Sequence, residues 1–376
     1  MNFIDLKAQY QHLKAEIDSS IAAVLDHGQY IMGPEVAELE EELKSFIDIK
    51  HCITCANGTD ALQMLYMAYG IGQGDAVFCP NVTFIATIEP ACMLGAVPVF
   101  CDIAPLTHNM CLESLERQIN AVLTENKLTP KAVIAVDLLG NPMDYNALEK
   151  ICQKYGLLLI EDAAQSFGSF YNGRACGSFG DSAITSFFPA KPLGCYGDGG
   201  AIFTNNDTLT DICRSLRVHG KGSKGKYHNE RIGLNSRLDT IQAAILRPKL
   251  KALQSYEINA RSKVAKRYNE AFSNYFTIQL IADGTQSIYA QYVLLADNKS
   301  QRDTILERLK KDNIPSMVYY PAALHELEVF QNICHYDERF VNSISYCQRT
   351  FSLPMHPYLS EEDQERVINC VLNYHK

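Results

Sequence analysis

Apolar positions along this chain of 376 residues recur in two rhythms, one suited to helices and one to buried strands. Leu13, Ile17, Ile21, Val24 and Leu25 share a helical spacing over residues 11–26. Val36, Leu39, Leu43, Phe46 and Ile47 repeat it behind Pro34, a residue suited to a first helical turn. Short apolar runs then alternate with amphipathic segments. The pattern predicts strands near 51–55, 76–79, 97–102, 132–138, 157–161 and 201–204. Between them it predicts helices near 58–68, 85–94, 112–122 and 144–155, and a further one capped by Asn206 or Asp207. Repeated strand–helix units call for an α/β fold built on a doubly wound, mainly parallel sheet.

A longer helix follows Gly233, with Ile241, Ile245, Leu246, Leu250 and Leu253 facing inward. Pro248 lies inside it, and an interior proline costs about 3 kcal/mol, so a bend is expected there. Beyond about residue 250 the rhythm changes. Short strands are expected near 276–281, 287–296 and 315–320, with amphipathic helices at 301–313 and 361–373. This reads as two domains, 1–250 and a small C-terminal α+β domain over 251–376.

Composition narrows the partners. Net charge is −9, and no basic cluster of the kind that grips a phosphate backbone occurs, so nucleic-acid binding is not expected. No apolar run approaches the length of a membrane span, and the start of the chain lacks the apolar segment of a secretion signal. Thirteen cysteines in such a chain read as reduced thiols of a cytoplasmic protein. Cys52 and Cys55 form C-x-x-C, but no second pair matches them and their surroundings read as a strand, so no metal site is assigned.

Candidate chemistry concentrates in residues 157–200. Leu157 to Ile160 form an apolar run that ends at two acids, Glu161 and Asp162. Ligands of open α/β sheets bind at the carboxyl ends of the strands. Lys191 follows in the apolar setting Phe187-Phe188-Pro189-Ala190, with a glycine-rich tail behind it. Desolvation frees a lysine's neutral, nucleophilic amine. Pyridoxal phosphate uses both groups, a lysine for its Schiff base and a carboxylate that keeps its ring nitrogen protonated. The plainer reading is a surface lysine in a turn and an acid that caps the next helix. Gly58 and Thr59 open a helix after a strand, where free amides attract phosphate, although Thr59 or Asp60 could simply be the cap. The glycine run Gly70-Ile71-Gly72-Gln73-Gly74 follows a helix and precedes a strand, the reverse of a dinucleotide site.

The runs Glu161-Asp162-Ala163-Ala164-Gln165, Ser186 to Gly194 and Gly197-Asp198-Gly199-Gly200-Ala201 resemble the DegT/DnrJ/EryC1/StrS aminotransferases. The resemblance extends over essentially the whole chain. It implies a fold type I pyridoxal-phosphate enzyme with a seven-stranded large sheet. By the same resemblance Lys191 is the Schiff-base lysine, Asp162 holds the ring nitrogen, Gln165 donates to the ring hydroxyl and Phe84 stacks on the ring. Gly58, Thr59 and Ser186 bind the cofactor phosphate, and Asn235 reaches the phosphate of a neighbouring subunit, which implies a homodimer with shared sites. Tyr30, Arg237, Tyr319 and Tyr320 become substrate candidates. Many relatives carry a histidine where this chain has Tyr319, a departure at a position that lies near the substrate in those relatives. His356 matches a family motif and is read as structural.

The implied reaction moves an amino group from L-glutamate, through the pyridoxamine form of the cofactor, to a nucleotide-linked ketosugar. The likeness is to enzymes that act on UDP-linked 2-acetamido-2-deoxy sugars with a 3-keto or 4-keto group, for surface polysaccharide such as O-antigen. Arg237 would meet a carboxylate or serve as a helix-start arginine. The lysine-rich stretch 221–231 would sit near the nucleotide diphosphate or form a mobile surface loop. Two other activities remain: a sugar dehydratase, in which histidine replaces the lysine, and a non-catalytic regulator on the same fold.

Overall fold

In the computed structural model, residues 1–225, 227–335 and 338–373 are described. The predicted alternation becomes one large sheet. Its strands are β1 (His51–Cys55), β2 (Asp75–Pro80), β3 (Val97–Cys101), β4 (Thr129–Val136), β5 (Leu158–Asp162), β6 (Ser182–Ser186) and β7 (Gly200–Thr204). They lie in the order β1-β7-β6-β5-β4-β2-β3. The sheet is parallel except for β7, which runs against both β1 and β6. The sequence pattern did not flag β6. It reads Ser-Ala-Ile-Thr-Ser, too polar for an apolar run, yet four of its five residues are buried. Its hydroxyls are paired inside the protein: Thr185 Oγ1 donates to the Ala163 carbonyl at 3.2 Å, and Ser182 Oγ accepts from Tyr69 at 3.1 Å.

Helices cover both faces of the sheet, and the side chains of β1 show how. Ile53 and Cys55 pack with the helices Gly58–Ala68 and Asp207–Leu216, whereas Cys52 packs with Pro34–Ile47 and Thr240–Ala252. Positions i and i+3 of a strand face opposite ways. The C-x-x-C thiols therefore belong to separate cores. The N-terminal segment forms two helices, Leu6–His12 and Lys14–His27, and Leu25 of the second is exposed rather than inward.

A second sheet joins Thr277–Ile278, Tyr292–Leu295 and Thr350–Leu353. Its core includes apolar residues of helices Ile258–Phe272, Lys299–Lys311 and Glu361–Leu372. Residues 315–320 form no strand; only Met317 bridges to Ser352. Helix Val341–Arg349 and the strand Thr350–Leu353 after it were not among the elements predicted from the pattern. The helix Thr240–Ala252 passes through Pro248, and the irregularity lies further on, in a π-turn over Leu253–Glu257. His356 is buried near Arg261. Among the described residues no helix is long and apolar enough to cross a membrane.

Candidate active site

The strand ends of β5 and β6 and the helix after β1 converge on a cavity of about 680 Å³. Asp162 is the last residue of β5, and Lys191 lies in the loop between β6 and β7. Both line this cavity, with Gly58, Thr59, Phe84, Gln165, Ser186, Tyr319 and Tyr320. The alternation of β5 sends Glu161 away from the cavity and leaves Asp162 facing it. Asp162 is held from two sides: Thr87 Oγ1 donates to Oδ2 at 2.9 Å, and the Ala164 amide donates to Oδ1 at 3.1 Å. Burial raises its pKa, and those two donors with the charge of Lys191 oppose the rise. Burial lowers the pKa of Lys191, with Asp162 opposing. An acid and an amine facing one cavity are thus each drawn toward the neutral form, and a bound cation or anion can reverse either shift.

Helix Gly58–Ala68 begins at this cavity. Asn57, not Thr59 or Asp60, is its cap, with Oδ1 accepting from the Asp60 amide at 2.7 Å. The Gly58 and Thr59 amides find no acceptor among the described residues. The absence of a side chain at Gly58 matters, since a Cβ there would lie 3.0 Å from the Ser186 Cβ. Two free amides at a helix N-terminus and one hydroxyl make a cradle for a phosphate. Gln165 Oε1 accepts from the Leu139 amide at 2.8 Å, which turns its Nε2 toward Tyr320, 3.3 Å away. Phe84 is exposed at the cavity and lies 6.4 Å from the Tyr320 ring, a flat apolar wall for an aromatic ligand. An anion cradle, an aromatic wall, a carboxylate and a low-pKa amine fit pyridoxal phosphate, each matched to one part of it.

Sequence reasoning missed Thr83 and Thr87, which bond to each other at 2.9 Å and support Asp162. It also missed Asn57, and Ile4 and Gln291 in the lining. Their i, i+4 spacing is the one signal that could have picked out the two threonines. Tyr30, Asn235 and Arg237 do not line the cavity of their own chain. Tyr30 and Asn235 are exposed and Arg237 is half-buried. Tyr30 and Ile31 meet Thr240 and Asp239, so the two segments share one region of the surface. Lys226 of the basic loop lies outside the described residues.

Behind the sheet, Asp137, Glu161 and Cys176 bring their ligand-type atoms within 4.8 Å of one another. Both oxygens of each acid already accept from the protein. Asp137 takes Met143 N, Tyr145 OH and Ser166 OH, while Glu161 takes the amides of Gly177 and Phe179. Burial raises the pKa of both acids. The cluster reads as an internal pair of acids rather than a metal centre.

Known proteins place the cavity in context. The pattern of the DegT/DnrJ/EryC1/StrS aminotransferase family matches residues 11–372. A UDP-2-acetamido-2-deoxy-3-oxo-D-glucuronate aminotransferase of Pseudomonas aeruginosa is 45% identical over 370 residues, 96% of each chain. A pleiotropic regulatory protein of Geobacillus stearothermophilus is 38% identical over 99% of this chain and 98% of its own. The crystal structure of a DegT DnrJ EryC1 StrS aminotransferase from Brucella abortus superposes with a TM-score of 0.97 at 47% identity, covering 100% of this chain and 99% of that one. With a mainly parallel seven-stranded sheet ending at a cavity suited to pyridoxal phosphate, and with that likeness along nearly its whole length, this chain belongs to the DegT/DnrJ/EryC1/StrS family of pyridoxal-phosphate-dependent sugar aminotransferases.

Proposed function

We propose that this enzyme moves an amino group from L-glutamate to a UDP-linked 2-acetamido-2-deoxy ketosugar, with Lys191 and Asp162 as its catalytic pair. The observation that carries the reading is the meeting of that amine and that carboxylate in one cavity, 29 positions apart in the chain. When bound, pyridoxal phosphate supplies the aldehyde that carries the amino group and the ring that takes up electrons. Asp162 would keep the ring nitrogen charged, Gln165 would donate to the ring hydroxyl, and Phe84 would stack on the ring. Gly58, Thr59 and Ser186 would hold the phosphate. The Lys191 amine, which burial draws toward its neutral form, would hold the cofactor's aldehyde group and, once free, would carry a proton on Nζ. Donor and acceptor use the same site in turn, so kinetics are ping-pong.

The relative that acts on a UDP-linked 3-oxo-glucuronate supports a UDP-sugar with the keto group at C3, and 4-keto sugars are the second choice. Arg237 makes no ion pair or hydrogen bond among the described residues, which supports a carboxylate of donor or sugar as its partner. Tyr30 and Ile31 meet Thr240 and Asp239, near Asn235 and Arg237 in the chain, and this supports a homodimer in which each chain completes the other's site. Tyr319 and Tyr320 line the cavity and would wall its sugar side, and Lys221, Lys224 and Arg231 would serve the diphosphate. The π-turn at Leu253–Glu257, close after residue 250, supports a large domain over 1–250 and a small one over 251–376. The product would enter surface-polysaccharide synthesis in the cytoplasm. Lys191 opposes a dehydratase, and the intact pair opposes a purely regulatory role.

The test is a panel of UDP- and dTDP-linked 3-keto and 4-keto sugars with L-glutamate, the products identified by mass spectrometry and NMR. Amination of a UDP-linked 3-keto sugar is expected, and Lys191→Ala should abolish it. Turnover of dTDP-sugars alone would refute the UDP assignment, and an active Lys191→Ala enzyme would refute the catalytic one.

A further inference from the structure

Helix Thr240–Ala252 lies against the loop that carries Lys191 and is hydrogen-bonded to it at two points. Gln242 Oε1 accepts from the Tyr196 amide at 2.9 Å. Lys249, seven residues later and so on the same helix face, donates from Nζ to the Gly194 carbonyl. The Lys249 side chain is 1% exposed, and Nζ stands 4.8 Å from the centre of the Tyr196 ring. Around it Leu246 and Leu250 pack with Phe187, Leu193 and Cys195.

A buried ammonium is costly unless its bonds repay the desolvation. Burial brings Lys249 down to about 8, with the Glu257 charge opposing, and no ion pair to it forms among the described residues. An apolar side chain would satisfy this core as well. The feature that only the lysine supplies is its donor, and the acceptor lies three residues from Lys191. The loop is folded tightly there, since a Cβ on Gly194 would lie 2.5 Å from the Pro189 oxygen and 2.6 Å from the Phe188 oxygen. Inside the loop, Cys195 N bonds to Phe187 O and Lys191 N to Phe188 O, each at 2.8 Å.

We propose that Lys249 is a positioning residue: by holding the Gly194 carbonyl it keeps the 187–199 loop in the shape that delivers Lys191 to the cavity. The proposal rests on the reading of Lys191 as the cofactor lysine. The experiment compares full-length wild type, Lys249→Met, Lys249→Gln and Lys191→Ala as apoproteins, then with pyridoxal phosphate added. Hydrogen–deuterium exchange of 187–199 should be about tenfold faster or more in Lys249→Met, the scale of a lost bond to a charged donor. Exchange of helix Gly58–Ala68 should stay as in wild type, and Tm should hold or rise, since a buried charge is gone. Lys249→Gln keeps a donor and should fall between. In the loaded enzyme kcat should drop about tenfold while KM for the ketosugar holds.

Unchanged loop exchange in Lys249→Met overturns the proposal. So does a lower Tm with faster exchange along the whole chain, which marks a merely structural role. If wild type and Lys191→Ala bind pyridoxal phosphate with the same absorbance, the Lys191 reading fails, and the exchange data report separately on the loop.

Discussion

Gly200 offers a sharp test of the phosphate cradle because it lies beside the cradle without lining it. It opens β7, paired with Cys55 of β1 on one side and Ser186 of β6 on the other. Its face meets the chain just before helix Gly58–Ala68. A Cβ at this position would lie 2.5 Å from the Asn57 carbonyl carbon, 2.6 Å from its oxygen and 2.8 Å from the Gly58 nitrogen. Ordinary contact begins near 3.4 Å, so Gly200→Ala demands about 0.9 Å of movement, and all three neighbours are backbone. Because β7 is held from both sides, the helix terminus must shift, carrying the Gly58 and Thr59 amides away from Ser186. Overpacking of this kind costs about 1–3 kcal/mol, enough to lower Tm by a few degrees. The phosphate should lose at least one charge-assisted bond, weakening pyridoxal phosphate about tenfold or more. Pyridoxal, which lacks the phosphate, should be affected far less. Equilibrium dialysis of the apoprotein with both ligands measures the ratio. Gly199→Ala is the control, since the atoms nearest its new Cβ are side-chain atoms, the Leu238 Cδ1 at 3.0 Å first. If Gly200→Ala lowers Tm but leaves the preference for the phosphorylated ligand intact, the helix terminus does not hold the phosphate.

Two further outcomes follow from the buried acids. Thr87→Val removes a donor from Asp162 at nearly constant shape, so the carboxyl, already raised by burial, should climb further. The acid limb of the pH–rate profile should move to higher pH and kcat fall about tenfold; superimposable acid limbs would exclude a role for that bond. Asp137 is raised from 3.8 to about 6, chiefly by burial, and Glu161 beside it is raised well above its usual range. A raised acid holds its proton longer in the folded state, so its stabilisation is full below the unfolded pKa and is lost as pH rises through the folded one. The apoprotein should therefore lose stability between about pH 4 and pH 6, and further as Glu161 ionises. Asp137→Asn should flatten that slope in thermal melts, and an unchanged slope would mean that the pair holds no extra proton.

Much of the cavity's lining was legible because each residue type there suggests a chemistry by itself. A nucleophilic amine, a strand-end carboxylate and two amides at a helix start can be recognised from residue type and local pattern, and the structure gathers them at one cavity. Strand β6 stayed hidden for the opposite reason. Its serines and threonine look solvated until Tyr69 and the Ala163 carbonyl arrive from distant segments to satisfy them. Thr87 is of the same kind, an ordinary threonine until the fold brings it to Asp162, 75 positions along the chain. Gln165 shows both levels in one side chain, since its place after β5 is local but the direction of its amide is set by the Leu139 backbone. Tyr30, Asn235 and Arg237 extend the gradient, because they lie outside the cavity of their own chain. Residues that act by holding others have no signature of their own, since their meaning is stored in the partner. Thr87, bonded to Asp162, and Lys249, bonded to the loop that carries Lys191, belong to that class, so on the reading proposed above the groups that aim the amine and the carboxylate are the ones a sequence conceals.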